Sequence, residues 1–248
     1  MIKFLCSTLC SLLCLLFVQG QDTKENAAFF NLIQDIVATE RVGNNLVYRL
    51  DTLKAKFIPS RSNLNDYFNR DIDFGFKHRR INLRLNFARY QIDLLCRNDT
   101  IFLSSISSAG YKSINYNNYN KEVIALFLEE RNKLYRSHKT PAELIKDLSL
   151  PEEYAFHCGD GMPKTKKGQY IERLVDEENT VALIDMLKSF NCETQAYGVA
   201  GLEMLKKQDY QISDGAQKLI DHIKKRNSDL IVCAGCLSGL IEKVYSRE

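Results

Sequence analysis

The chain has 248 residues, with 34 Lys and Arg against 31 Asp and Glu and a formal net charge of +3. That near balance gives no global pull toward nucleic acid or an anionic membrane surface. A hydrophobic share of 45% is enough for a real core and excludes a natively disordered chain.

The chain opens with MIKFLCSTLCSLLCLLFVQG: a positive start at Lys3, an almost unbroken apolar run from Leu5 to Val18, and a small residue at Gly20. This is the layout of a secretory signal peptide over residues 1–20, with cleavage after Gly20. The run is short for a spanning helix, which needs about 20 apolar residues. The expected localisation is secreted or periplasmic, with no integral membrane segment once the leader is removed.

Residues 21–115 read as an N-terminal α+β region. NAAFFNLIQDIVATE places Phe29, Phe30, Ile33 and Val37 at helical spacing. After Gly43 and Asn44, a second helix carries Leu46, Leu50 and Leu53 on one face, and Pro59 closes it. Ile81, Leu83, Leu85 and Phe87 then alternate with polar residues, which predicts a strand with one wet face. The alternation changes phase to Tyr90, Ile92, Leu94 and Cys96, which predicts a bulge or sharp bend near Ala88–Arg89. RNDT is a turn and IFLSSIS a returning strand, so the expected sheet is an antiparallel hairpin. The polar run GYKSINYNNYN over 110–120 reads as the loop between two regions.

Residues 121–248 read as helical. Val123, Phe127 and Leu134 share a stripe, and Thr140, Pro141 and Glu143 form a helix-start signal. CGDGMPKTKKG is a glycine-punctuated loop, and three helical segments follow at short intervals. Gly198 and Gly201 lie inside one of them, where each costs roughly 1 kcal/mol against Ala, so another element is expected to cross closely there. The fold class is α+β: N-terminal helices and an antiparallel strand hairpin, then a C-terminal stack of antiparallel α-helices.

Three stretches in this half carry a resemblance: Cys158 with Gly159; Glu193, Gln195 and Tyr197 followed by Gly201 and Leu202; and Cys233, Gly235 and Cys236. In that order they resemble a group of uncharacterised exported proteins of Bacteroidetes-type bacteria ending in a C-x-G-C motif. The resemblance implies an exported bacterial protein and no particular activity.

Five cysteines follow the leader: Cys96, Cys158, Cys192, Cys233 and Cys236. In an oxidising compartment thiols tend to pair, and an odd number leaves at least one out. Cys96 fits that role as a small hydrophobe in an apolar strand. The disulfide candidates are Cys158, Cys192, Cys233 and Cys236, with Cys158 bonded to Cys233 or Cys236. Two other readings stand beside the staple. A zinc site would use Cys233 and Cys236 with Cys158 and either His157 or Cys192. A thiol-redox pair would use Cys233 and Cys236, but the chain after Cys236 is too short to complete the usual βαβ setting.

Other constellations are weaker. His157, Cys158 and Asp160 are too close in sequence to face one another as a nucleophile system. Gly159, Gly161 and Lys164 lack the order of a phosphate loop. KHRR over 77–80 is a basic cluster, and His222, Lys225 and Arg226 suit the C-terminal end of a helix. Paired acids such as Glu152 and Glu153 read as solvated faces. No signature calls for a catalytic residue, metal or cofactor. The expected function is a non-enzymatic interaction or scaffold protein with another protein as partner, and a hydrolase with an unrecognised site is a further alternative.

Overall fold

The structure is a computed structural model that describes residues 28–57, 59–86, 88–109 and 115–245. The expected leader, residues 1–20, lies outside the described residues. Two helices come first, α1 over 28–39 and α2 over Gly43–Lys54. A 3-10 turn, Pro59–Arg61, leads into strands β1 (Asn63–Asp73), β2 (Phe76–Leu85), β3 (Ala88–Arg97), β4 (Thr100–Ala109) and β5 (Asn115–Tyr119). Helices α3 (Lys121–Tyr135), α4 (Pro141–Ser149), α5 (Lys166–Asp176), α6 (Thr180–Leu187), α7 (Cys192–Lys207) and α8 (Asp214–Arg226) follow. The chain then returns as β6 (Leu230–Ala234) and β7 (Leu237–Glu242). The protein is therefore α+β with antiparallel sheets.

The sheet differs from the expected hairpin. It is a five-stranded antiparallel meander in the order β1-β2-β3-β4-β5. No register shift interrupts the β2–β3 pairing; the shift in β3 falls on its β4 side, at Leu95–Cys96. Leu85 pairs with Ala88, so Leu83 faces Tyr90 and Ile81 faces Ile92 across a tight β2–β3 hairpin, with Asn86 at φ 53°. A reversal of this kind puts odd-numbered residues of one strand and even-numbered residues of the next on the same face, which is the phase change seen in the sequence. Asn98 and Asp99 both have positive φ and turn β3 into β4. The loop expected over 110–120 includes a strand, β5, paired with β4 from Leu103–Tyr119 to Ser107–Asn115.

Each face of the sheet has its own cover. Phe30, Ile33 and Val37 of α1 and Leu46, Leu50 and Leu53 of α2 pack on Ile81, Leu83, Tyr90, Ile92 and Leu94. Ile72, Phe76, Leu95 and Leu103 on the opposite face meet Ile124 and Phe127 of α3, Leu144 and Leu148 of α4, Ala196 of α7 and Val232 of β6. A third cluster joins α5, α6, α7 and α8 around Leu183, Tyr197 and Leu202.

Local signals account for many of the helix starts. Thr140 makes a full capping box with Glu143, and Asn120, Thr165, Asn179, Asn191 and Ser213 each accept a backbone N–H of the first turn. The two glycines of α7 are explained by α6. A Cβ on Gly198 would lie 2.9 Å from the Leu183 carbonyl oxygen, and one on Gly201 would lie 2.5 Å from Leu183 Cδ2. The C-terminal half is not all helical: β6 and β7 form a hairpin, and Tyr154 donates its backbone N–H to Ile231 at 2.7 Å on the other edge of β6. Among the described residues no helix is long and apolar enough to cross a membrane.

Candidate functional site

Cys158 is bonded to Cys233, 75 positions away in sequence, with Cα atoms 5.6 Å apart. The bridge ties the glycine loop after Ala155 to the β6–β7 hairpin. The Gly159 N–H also donates to the Gly235 carbonyl at 2.8 Å, so the bond sits inside a hydrogen-bonded contact. Cys192 and Cys236, both disulfide candidates, are free here. Cys192 is buried at the start of α7 inside the core between sheet and helices. Cys236 is exposed at the hairpin tip. Cys96 is buried as expected, and desolvation pushes its thiol up to about 12, which makes it inert. With Cys233 in the disulfide, Cys233 and Cys236 do not form a pair of thiolates. No metal-binding group of His, Cys, Asp and Glu is assembled among the described residues.

The E-x-Q-x-Y residues of α7 all point into the protein. Glu193 holds Arg70 of β1 at two points, Nη1–Oε1 and Nη2–Oε2, the latter at 3.0 Å, and accepts the Ile231 N–H at 2.8 Å. Gln195 donates to the Leu187 carbonyl at 2.8 Å and accepts from Arg226. The Tyr197 hydroxyl accepts the Ala155 N–H and lies 2.9 Å from the Glu153 and Ala155 carbonyls. One helix thus grips the sheet, the C-terminal hairpin and the segment before the disulfide.

The basic cluster at 77–80 is only partly a solvated one. Lys77 is exposed, but His78, Arg79 and Arg80 are buried on β2. Asp93 takes His78 Nε2 at 2.8 Å, Arg80 Nε at 2.7 Å and Gln91 Nε2 at 2.6 Å. Arg80 also reaches the Leu148 and Leu150 carbonyls at the end of α4, where a cation is favoured. Asp73, fully buried, takes Arg131 Nε at 3.0 Å, His222 Nε2 at 2.8 Å and Arg226 Nη1 at 3.0 Å. His222 and Arg226 therefore hold β1, beyond suiting the end of a helix. Burial alone would raise the Asp73 carboxyl; the His222 hydrogen bond and the two guanidiniums keep it below the usual carboxylate range. His78 moves the other way. Burial lowers it to about 4 against the pull of Asp93, so at neutral pH its ring is uncharged.

The same face of the sheet changes character along its strands. The row Arg70–His78–Leu95–Leu103 lies under the helices, and Phe68–Arg80–Asp93–Ser105 comes next. Asn65, Asn82, Gln91 and Ser107 then form a row of neutral hydrogen-bonding side chains in direct register across four strands. Asn63, Arg84 and Arg89 finish the face. These last rows line a cleft of about 650 Å³ between the sheet and the chain after α4. A larger concavity, about 940 Å³, lies at the end of α8. Two of the charges there are paired: Lys224 with Glu203 at 2.6 Å and Arg226 with Asp73.

No protein-family model, curated protein or solved structure matches the chain.

Sequence reasoning singled out Cys158 and Cys233, which the fold brings together, and Cys192 and Cys236, which stay apart from any partner cysteine. It missed β1 and with it Arg70, Asp73, Asn63 and Asn65. It also placed Asn82 and Arg84 merely on a wet face. The signal available was the alternation Asn82, Arg84 against Ile81, Leu83, Leu85, which marks one polar face but cannot show that three further strands extend it.

Proposed function

We propose that the protein is an exported bacterial binding or scaffold protein, stapled by the Cys158–Cys233 disulfide, that works through a preformed surface and performs no chemistry on its partner. The observation that carries this reading is where the ionisable groups go. Arg70, Asp73, His78, Arg80, Asp93, Arg131 and Glu193 are buried and hydrogen-bonded between layers. Among the described residues, the broad open polar surface at the sheet end carries amides, hydroxyls and arginines and no acid–base pair. Export is supported by the leader and by a disulfide that a reducing cytoplasm would not maintain. The test is to incubate the purified mature protein with envelope and extracellular fractions of a bacterium that produces it. Saturable, reversible retention of chemically unchanged material is the expected result. Covalent turnover of the retained material overturns it.

One observation favours a second reading, in thiol exchange. Cys236 is an exposed thiol three positions from Cys233, and its neighbour Gly235 is hydrogen-bonded to the residue after Cys158. The Cys236 thiolate would attack the Cys233 sulfur. A Cys233–Cys236 bond would form as the Cys158–Cys233 bond broke, and Cys158 would leave as a thiolate that takes up the proton Cys236 released. Alkylation at timed intervals followed by peptide mapping decides this. A Cys158 that never becomes labelled in the native protein removes the reading.

A further inference from the structure

We propose that the Arg84/Arg89 end of the polar sheet face binds a carboxylate-bearing, polyhydroxylated ligand: a uronic acid residue of an acidic oligosaccharide. This rests on the binding reading above and names its ligand. Arg84 on β2 and Arg89 on β3 are direct cross-strand partners with side chains on one face, and both are exposed. Arg84 Nε donates to the Asn86 carbonyl at 3.2 Å, and among the described residues no carboxylate forms an ion pair with either guanidinium. Like charges placed opposite each other on paired strands destabilise a sheet. An oxyanion between the two forks removes that repulsion, and the planar fork matches a carboxylate at two points.

The adjoining row supplies the rest of the recognition. Asn65, Asn82, Gln91 and Ser107 stand in register on successive strands, about 4.8 Å apart. Each side chain offers both donor and acceptor capacity, the pairing that vicinal hydroxyls need. Gln91 is the exception: its Nε2 is committed to Asp93 and to the Ser149 carbonyl, which leaves Oε1 as the acceptor it offers.

The alternatives fit less well. Among the described residues of the cleft lining Tyr90 is the one aromatic, and its ring belongs to the opposite face, packed on Phe30 with centroids 6.5 Å apart. Among the described residues no ring is therefore presented for stacking, which disfavours nucleobases. An extended peptide laid across the strands would place its same-side groups about 6.7 Å apart, out of step with the row. Sugar rings in a linked chain repeat at close to the inter-strand step. The cleft, about 650 Å³, lies within the usual range for small-ligand sites.

Calorimetric titration of the purified mature protein tests this with four probes: trigalacturonate, the neutral galactose trimer, free galacturonate and inorganic phosphate. Saturable binding of trigalacturonate is expected, with the neutral trimer and phosphate weaker by about tenfold or more. Arg84→Ala and Arg89→Ala are each expected to lose about tenfold with thermal melting not lowered, because both side chains are exposed and removing either relieves their repulsion. Galacturonate equal to its trimer assigns the site to a free sugar acid, and a tighter trimer assigns it to the chain. Absent trigalacturonate binding, equal binding of the neutral trimer or of phosphate, or full binding by the double Arg variant overturns the proposal. Retention of envelope material alongside any of those failures sinks this ligand and leaves the binding reading standing.

Discussion

Arg70 on β1 and Glu193 on α7, 123 positions apart in sequence, form a two-point ion pair in which neither side chain reaches solvent. The pair joins the sheet to the helical half, and Glu193 also satisfies the Ile231 N–H of the C-terminal hairpin. Arg70 rests on the Phe68 ring at 4.2 Å, and the Arg70 charge holds the Glu193 carboxyl below its usual range against burial. Removing one member leaves the other buried and unpaired, a loss of about 3–5 kcal/mol. Glu193→Leu and Arg70→Met are each expected to lower the unfolding free energy read from a urea titration by that amount. The double variant Arg70→Met/Glu193→Leu is expected to recover a large part of it, measured in the same titration as a double-mutant cycle.

The disulfide closes a loop of 75 positions. On chain entropy that stabilises the fold by about 4.5 kcal/mol. Cys158→Ser, or reduction of the native protein, is expected to lower the denaturation midpoint accordingly. A midpoint unmoved by reductant would mean the unfolded chain is already confined between the glycine loop and the hairpin.

Thiol accessibility should follow burial. Without reductant, the native protein lacking residues 1–20 is expected to label rapidly at Cys236 alone, with Cys96 and Cys192 reacting only after denaturation. Maleimide labelling read by mass spectrometry checks this. Rapid labelling of Cys192 in the native state would contradict its place in the core.

Acid should destabilise the protein in two ranges. His78 has a folded value of about 4 against roughly 6.5 unfolded. Below pH 6.5 the unfolded state therefore takes up a proton that the folded state refuses. Stability falls from about pH 6.5 to pH 4, by roughly 3 kcal/mol for this group. Asp73, Asp93 and Glu193 have lowered folded values, so their contribution is present above the unfolded carboxylate value and is lost as pH falls through the folded values. Urea titrations across pH are expected to show both phases, and His78→Gln should remove the upper one.

The α6–α7 crossing should resist a methyl group more strongly at Gly198 than at Gly201. Ala is intrinsically better in a helix by about 1 kcal/mol. The added Cβ at Gly198 would meet the Leu183 backbone carbonyl at 2.9 Å, whereas at Gly201 it meets the end of the Leu183 side chain. Overpacking costs about 1–3 kcal/mol, and backbone yields less than a methyl. Gly198→Ala is therefore expected to be the more destabilising variant in thermal melts, with Gly201→Ala closer to neutral.

Much of the local structure was legible in the sequence because it depends on neighbours along the chain. The stripes of α1 and α2, the capping box at Thr140, the turn at Asn98–Asp99 and the membership of Cys158 in a disulfide all follow from spacing and residue chemistry. Strand β1 was not legible. Arg70 and Asp73 occupy buried positions that an apolar residue would mark, so the alternation of NLNDYFNRDID is hidden, and a bulge between Asp66 and Phe68 shifts it further.

The sequence by itself determined an α+β chain whose apolar periodicities specify most helices, the β2 to β4 strands and a sulfur staple to the chain end. The tertiary structure decided which charges are buried, that Glu193, Gln195 and Tyr197 hold three segments together, and that residues from four strands form one polar face. The physical reason is range. Periodicity and capping act within a few residues, whereas an ion pair such as Arg70–Glu193 or a row such as Asn65–Asn82–Gln91–Ser107 exists only once distant strands and helices are placed side by side.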